Sequence, residues 1–226
     1  MADTFEWPPL ESSPEIFTDY MKKMGLPPQW GFSEVFGFED ELLGMVPQPV
    51  LAVIVTAEFT DKAHDRESGD LGVANNFYMK QTGKLDNACG VIACLHGIYN
   101  NLSADKIVLT EGSTLAQHYE LTKPKTPEER AQMLEDNQNF QEQHKEFAAQ
   151  GQSAECENQD DVAHHFTAFA VNANGQLVEF DGMKKGPHVV AEVCTDVLKG
   201  SITEIKRRLE AKEITESLSV MCLSAM

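Results

Sequence analysis

The run Val50–Phe59, VLAVIVTAEF, limits the possible folds more than any other stretch of this sequence. It is dense in β-branched residues and apolar on both of the faces that strand alternation creates, which is the pattern of a central strand. Pro47 and Pro49 set off its start, so the core sheet begins there. The stretch ACGVIACLHGIYNN has a different period. Its Val91, Ile92, Leu95, Ile98 and Tyr99 make one wide apolar face, which predicts a largely buried helix from about residue 88 to 100.

Other segments fill in the frame. Pro14 opens EIFTDYMKKMG, whose Ile16, Phe17, Tyr20, Met21 and Met24 recur at helical spacing until Gly25 closes the helix. Residues 60–74 read as a loop and NNFYMKQT, 75–82, as a short strand. Thr126, Pro127 and Glu129 form a capping box that starts a helix at 127, expected to run to about 147. Residues 148–162, AAQGQSAECENQDDV, are small, polar and acidic and read as a mobile loop. FTAFAVNANGQLVEFDG carries two β-rich arms around Asn174-Gly175, a hairpin signal. A helix at about 195–210 and a strand, SLSVMCLSA, complete the chain. The mixture indicates one α+β (mixed α/β) domain over residues 1–226, with the buried helix packed on a sheet.

Lys and Arg number 18 against 36 Asp and Glu, a net charge of −18. Such a field repels phosphate backbones and anionic lipid, which argues against nucleic acid or a membrane surface as partner. A basic protein partner fits it, as does simple solubility. The N-terminus MADTFEWPPLESS lacks the order of a signal peptide, and no run of some twenty apolar residues exists. Cys89, Cys94, Cys156, Cys194 and Cys222 are odd in number and show no CxxC spacing, which points to a reducing cytosolic or nuclear compartment with neither a disulfide framework nor a zinc site.

Asp86 and Asn87 are good N-cap residues, placing the Cys89 sulfur in the first turn of the buried helix. The macrodipole and open backbone N–H groups there favour a thiolate, the nucleophilic form. Gly90 would keep the adjacent backbone open to a substrate. Against this stands the ordinary reading of a cysteine as a small buried hydrophobe, which suits Cys94 better. Nearby carboxylates disfavour reactivity at Cys156. Of seven histidines, His165 opens an apolar arm that can hold an imidazole in one orientation, whereas alternation turns His164 to the opposite face and His96 reads as a satisfied buried histidine.

Asp181, at the far end of the hairpin, is the candidate carboxylate to orient His165. Register decides whether they can meet. A two-residue loop at Asn174-Gly175 would put them on opposite faces, while a three-residue loop, Ala173-Asn174-Gly175, gives paired positions summing to 348 and puts them on the same face. The chemistry therefore demands the longer loop. Gln81 is a candidate side-chain donor to an oxyanion beside the Cys89 N–H, though a lone glutamine is a weak signal.

The strings FYMKQT, NACG, HFTAF and LVEFDG, in that order, resemble the ubiquitin C-terminal hydrolase family of cysteine peptidases. WPPLESSPE, ELLGMVPQPVLAV, GSTL, TPEERAQML and the terminal LSA extend the likeness to short single-domain members over nearly the whole chain. The resemblance implies a papain-like α/β (α+β) fold, a central antiparallel sheet flanked by helices. It also implies Cys89 as nucleophile, His165 as general base and acid, Asp181 as orienting carboxylate and Gln81 as oxyanion donor. On the same ground the loop at about 148–162 would cross over the site and limit the leaving group. Glu11, Glu15 and Glu34, with Leu10, would bind ubiquitin or a ubiquitin-like modifier. The expected protein is a monomeric thiol hydrolase of the cytoplasm, also of the nucleus, without cofactor or metal. The chain departs from the family pattern by two extra residues in TGKLDNA, between Gln81 and Cys89, and by one in the hairpin loop. Two rivals remain beside it: a catalytically impaired ubiquitin-binding protein on the same scaffold, and another papain-like amidase or endopeptidase.

Overall fold

The computed structural model describes residues 5–60, 68–73, 76–151 and 164–226. Its centre is a six-stranded antiparallel sheet, with strands β1 (Trp30–Glu34), β2 (Val50–Phe59), β3 (His164–Val171), β4 (Leu177–Phe180), β5 (His188–Ala191) and β6 (Ile214–Ala225). Their spatial order is β1-β6-β2-β3-β4-β5, so β2 lies inside the sheet, between β6 and β3. Alternation along the strands sorts their side chains into two cores. Ala52, Ile54, Ala168, Ala170, Val178 and Phe180 face helix α3 (Cys89–Tyr99), while Val53, Val55, Ala57, Phe169 and Leu177 face helix α7 (Val197–Glu210). All eleven residues of α3 are buried, because the sheet covers one side and the other helices cover the rest. Helix α1 (Pro14–Met24) is among them: Ser13 caps its start, proline occupies the first turn, and Gly25, at φ 120, ends it.

The remaining helices are α2 (Asp40–Leu43), α4 (Thr114–Thr122), α5 (Pro127–Glu135) and α6 (Gln138–Ala148). The capping box at the start of α5 is present, with Thr126 N–H donating to Glu129 Oε2 at 2.8 Å and Glu129 N–H to Thr126 Oγ1 at 3.2 Å. The single helix expected from 127 to 147 is instead two. Asn137 accepts from Phe140 N–H at 3.2 Å and caps a new helix, so a local side-chain bond interrupts the old one.

NNFYMKQT is not a strand in its described part, residues 76–82. That segment is extended, but its donors go to groups that no sheet supplies: Phe77 N–H to Asn100 Oδ1 at 2.7 Å, Met79 N–H to His96 Nε2 at 2.9 Å, and Gln81 N–H to the Gly182 carbonyl at 2.8 Å. The hairpin follows the register its chemistry required. Ala168 stands opposite Phe180, Ala170 opposite Val178 and Val171 opposite Leu177, and Gly175 takes the left-handed φ of 76 that ends a three-residue loop. Most of the crossover loop expected at 148–162 lies outside the described residues, as does Cys156.

Candidate active site

The sulfur sits where the sequence placed it, at the first residue of α3, but the helix starts differently. A short 3-10 turn, Gly83–Leu85, is followed by a turn at Asp86 and Asn87 before the helix, so the cap position falls on Ala88, whose side chain makes no cap bond. Asp86 and Asn87 therefore do not fill the capping role expected of them. The Cys89, Gly90 and Val91 N–H groups precede the first intrahelical bond, which Ile92 N–H makes to the Ala88 carbonyl at 3.0 Å. Cys89 is 8% exposed, at the edge of the core rather than sealed in it. Gly90 opens nothing to substrate. A Cβ there would stand 3.1 Å from Phe17 and 3.4 Å from Leu10, so its small size lets α1 and the N-terminal segment close onto the helix start.

His165 lies in β3 opposite Ala57 of β2, with the Phe59 ring 6.0 Å away. Its Nε2–H donates to Asp181 Oδ1 at 2.7 Å, which leaves Nδ1 as the nitrogen able to serve the sulfur. Burial would lower the imidazole's pKa, but the Asp181 charge and hydrogen bond, joined by the hydrogen-bonding and Coulombic influence of Cys89, raise it from 6.5 to about 10. Burial works against the Asp181 carboxylate too, yet His165 and the Met183 N–H, 2.9 Å from Oδ1, hold its pKa below the ordinary value. Thiol, imidazole and carboxylate are thus brought together. Chemically, such a trio can form an anionic nucleophile, pass its proton to a ring and keep that ring in one tautomer.

Gln81 reaches the same region from the extended segment. One hydrogen of its amide goes to the Asp86 carbonyl at 2.6 Å, within the stretch that carries the extra residues, and Oε1 is buried with no partner among the described residues. The second amide hydrogen is the one that can meet an oxyanion. Gly182 makes room for this approach, since a Cβ there would lie 2.9 Å from Gln81 Cβ.

The other sequence candidates separate cleanly. His164 is exposed and bonds the Ser217 hydroxyl at 2.8 Å, on the face opposite His165. Burial depresses His96 to about 3, keeping it a neutral acceptor for Met79 N–H. Cys94 is fully buried, and burial pushes its thiol well above the ordinary range. Glu15, in the first turn of α1, and Glu34 are exposed and Glu11 is half-buried; Glu34 pairs with Met221 of β6, and Ser12, next to Glu11, bonds Ser219 at 3.0 Å. Leu10 is 6% exposed and packs toward Gly90. Among the described residues no group of three His, Cys, Asp or Glu could hold a metal ion, and no helix is long and apolar enough to cross a membrane.

Sequence reasoning missed a charged cluster behind Asp181. Glu179, wholly buried in β4, binds Lys184 at 2.6 Å and Arg208 of α7 at 2.6 Å, and Arg208 in turn binds Glu204 at 2.7 Å. The signal was available, because an acidic residue inside the apolar arm Leu177–Phe180 must find cationic partners.

A family model described as ubiquitin carboxyl-terminal hydrolase, family 1, matches residues 7–210. A ubiquitin carboxyl-terminal hydrolase of Drosophila melanogaster is 36% identical over 97% of both chains. Ubiquitin carboxyl-terminal hydrolase isozyme L1 of Rattus norvegicus is 33% identical, covering 96% of this chain and 98% of its own. In three dimensions the fold is similar to the Trichinella spiralis UCH37 catalytic domain, solved bound to ubiquitin vinyl methyl ester, with a TM-score of 0.78 and 19% identity over 98% of this chain and 96% of that one. A family model spanning most of the sequence and relatives matched over nearly its whole length agree with the resemblance read from the residues, and the chain belongs to the ubiquitin carboxyl-terminal hydrolase family.

Proposed function

We propose that Cys89, His165 and Asp181 carry the reaction of this cysteine-type ubiquitin hydrolase, acting on bonds at the C-terminal glycine of ubiquitin. The observation that carries the assignment is the 2.7 Å bond from His165 to Asp181, with Cys89 beside the same ring at a helix start. The thiolate attacks the glycine carbonyl carbon, forming a C–S bond and an oxyanion that the Cys89 N–H and the Gln81 amide stabilise. Collapse of that intermediate breaks the bond to the leaving group, which departs as an amine carrying the proton from His165. Water then attacks the thioester as His165 removes its proton, and the ubiquitin carboxylate and the free thiol are restored.

Residues 1–226 act as one catalytic domain in this reading. The loop at about 148–162 restricts the enzyme to small or flexible leaving groups. Ubiquitin and ubiquitin-like modifiers are its partners, with Glu11, Glu15 and Glu34 steering the basic partner, as the net charge of −18 favours. Leu10 supports the Cys89 helix rather than touching substrate, as its 6% exposure favours. The unpaired thiols of Cys89, Cys94, Cys194 and Cys222 suit the cytoplasm or nucleus, where the protein acts as a monomer in this reading. No observation favours the impaired ubiquitin-binding alternative.

The test is capture by ubiquitin bearing a C-terminal electrophile, read by mass spectrometry. One adduct is expected, on Cys89, and none in Cys89→Ala. Labelling of Cys94 or Cys156, or no labelling of the folded protein, overturns the assignment.

A further inference from the structure

The turn that presents Asp181 to His165 is held by a phenol. Tyr78 Oη lies 2.9 Å from the Asp181 carbonyl oxygen and 2.6 Å from that of Lys184. These are the two ends of a turn that Lys184 N–H closes onto the Asp181 carbonyl at 3.0 Å. Tyr78 is only 2% exposed. Burial, with the Asp181 and then the Glu128 carboxylates, holds the phenol's pKa above its ordinary value, so it remains a donor wherever the enzyme works. Its ring stacks on His96 at 5.4 Å, 7° from parallel.

The rest of the residue is anchored as firmly. The Tyr78 carbonyl accepts from Arg130 Nη1 at 2.7 Å, and that guanidinium, 4.3 Å from the Phe77 ring, also donates to the Thr122 and Lys123 carbonyls. Three residues along the same segment, Gln81 N–H donates to Gly182, the residue that follows Asp181. One short segment therefore touches the turn that aims the carboxylate and carries the side chain that faces an oxyanion.

We propose that Tyr78 is a positioning residue, whose phenol fixes the Asp181–Lys184 turn so that the carboxylate meets His165 Nε2 while its Arg130-anchored backbone sets Gln81. This rests on the assignment of Cys89, His165 and Asp181 made above. The charged and titratable groups around the strut are His96 from α3, Glu128 and Arg130 from α5, Lys184 and Glu179 beside the turn, and Arg208 from α7; His165 itself faces Asp181 and Cys89. Among the described residues, Glu179, itself paired with Arg208, reaches the turn through the Lys184 side chain. The side-chain hydroxyl at the Asp181 and Lys184 carbonyls is that of Tyr78, which joins the Lys184 N–H at the first of them.

The test compares Tyr78→Phe with Tyr99→Phe, a matched deletion of a buried phenol that donates to the Leu115 carbonyl at 3.0 Å, away from the site. Steady-state kinetics use a ubiquitin-amide fluorogenic substrate across pH, with Asp181→Asn in parallel. Tyr78→Phe is expected to lower kcat roughly tenfold with KM changed less than about twofold, because a small misplacement of catalytic groups acts on the reacting state. Its alkaline limb should fall by about one pH unit, since a poorly aimed carboxylate supports the imidazolium less. Tyr99→Phe should lose thermal stability and keep both kinetic quantities. A Tyr78→Phe enzyme with native kcat and native alkaline limb, a change confined to KM, or equal kinetic losses in both variants overturns the proposal. An Asp181→Asn enzyme that loses roughly 10²-fold or more beside an unaffected Tyr78→Phe removes this inference alone, whereas an Asp181→Asn enzyme within about threefold of native removes the catalytic assignment and this inference with it. Should Tyr78→Phe fail to fold, Arg130→Lys loosens the far end of the strut from a half-buried position, and an unmoved kcat and alkaline limb there are equally decisive against it.

Discussion

Replacing Asp181 by asparagine keeps the side chain's size and removes its charge. In the native protein burial alone would depress His165, yet Asp181 first and Cys89 second carry it from 6.5 up to about 10. At about 1.4 kcal/mol per pH unit, that rise corresponds to roughly 5 kcal/mol of preference for the protonated ring. The Asp181 charge and hydrogen bond are the largest of the influences that raise it. The variant should lose the greater share, about 3–4 kcal/mol, while burial continues to favour the neutral ring. The imidazolium that stabilises the thiolate and later protonates the leaving amine is then no longer the resting form above neutrality. Toward a ubiquitin-amide fluorogenic substrate at about pH 8, kcat/KM should fall by roughly 10²–10³, and the alkaline limb should move down by about 2–3 pH units, from near pH 10 to about pH 7–8. Stability moves with the same sign. A pKa raised in the folded state contributes stability that is complete below 6.5 and fades as pH climbs through about 10, so the gap in Tm between native protein and variant should narrow in alkali. An Asp181→Asn enzyme within about threefold of native kcat/KM, with an unmoved alkaline limb, refutes the reasoning.

Glu179→Ala leaves the Lys184 and Arg208 charges facing a void, and should cost about 3–5 kcal/mol in urea unfolding. The native Glu179 pKa is lowered to about 2, burial being outweighed by Arg208 and Lys184, so its contribution is complete above 4.5 and disappears as pH falls toward 2; a variant with the native midpoint and acid profile would contradict this. Gly182→Ala drives a methyl group to 2.9 Å from Gln81 Cβ and 3.1 Å from Gln81 N, which should destabilise the fold by about 1–3 kcal/mol and lower kcat; an unchanged thermal melt counts against so close a packing. Glu11, Glu15 and Glu34 changed together to Gln should slow association with ubiquitin and flatten its salt dependence without altering kcat. Stopped-flow binding that shows native rates at low salt defeats the steering role.

What the sequence made legible was governed by local rules. The hairpin register follows from one glycine able to take positive φ, and with it the fact that His165 and Asp181 share a face. Alternation alone turned His164 outward, and the capping box alone started α5. Where a competing local bond was overlooked the reading failed, as at Asn137, whose side chain ends one helix and begins the next. Failures of a second kind had no local sign. FYMKQT has a strand's composition, and only the folded arrangement shows that its donors are taken by Asn100, His96 and a turn carbonyl instead of a ladder. The Asp86–Asn87 cap failed because those residues form a turn after the 3-10 segment, and the helix begins only at Cys89, which puts the cap position on Ala88. The two halves of the proposed site are therefore specified differently: His165 and Asp181 by the register of a hairpin, Cys89 by the start of α3, and Gln81 by a segment that side chains from separate elements hold in place. Substitutions among those holders can misplace Gln81 while the hairpin keeps its register. Tyr78 stands apart from those holders because it lies in the segment that carries Gln81 while its phenol grips the turn after Asp181, so one residue touches both halves.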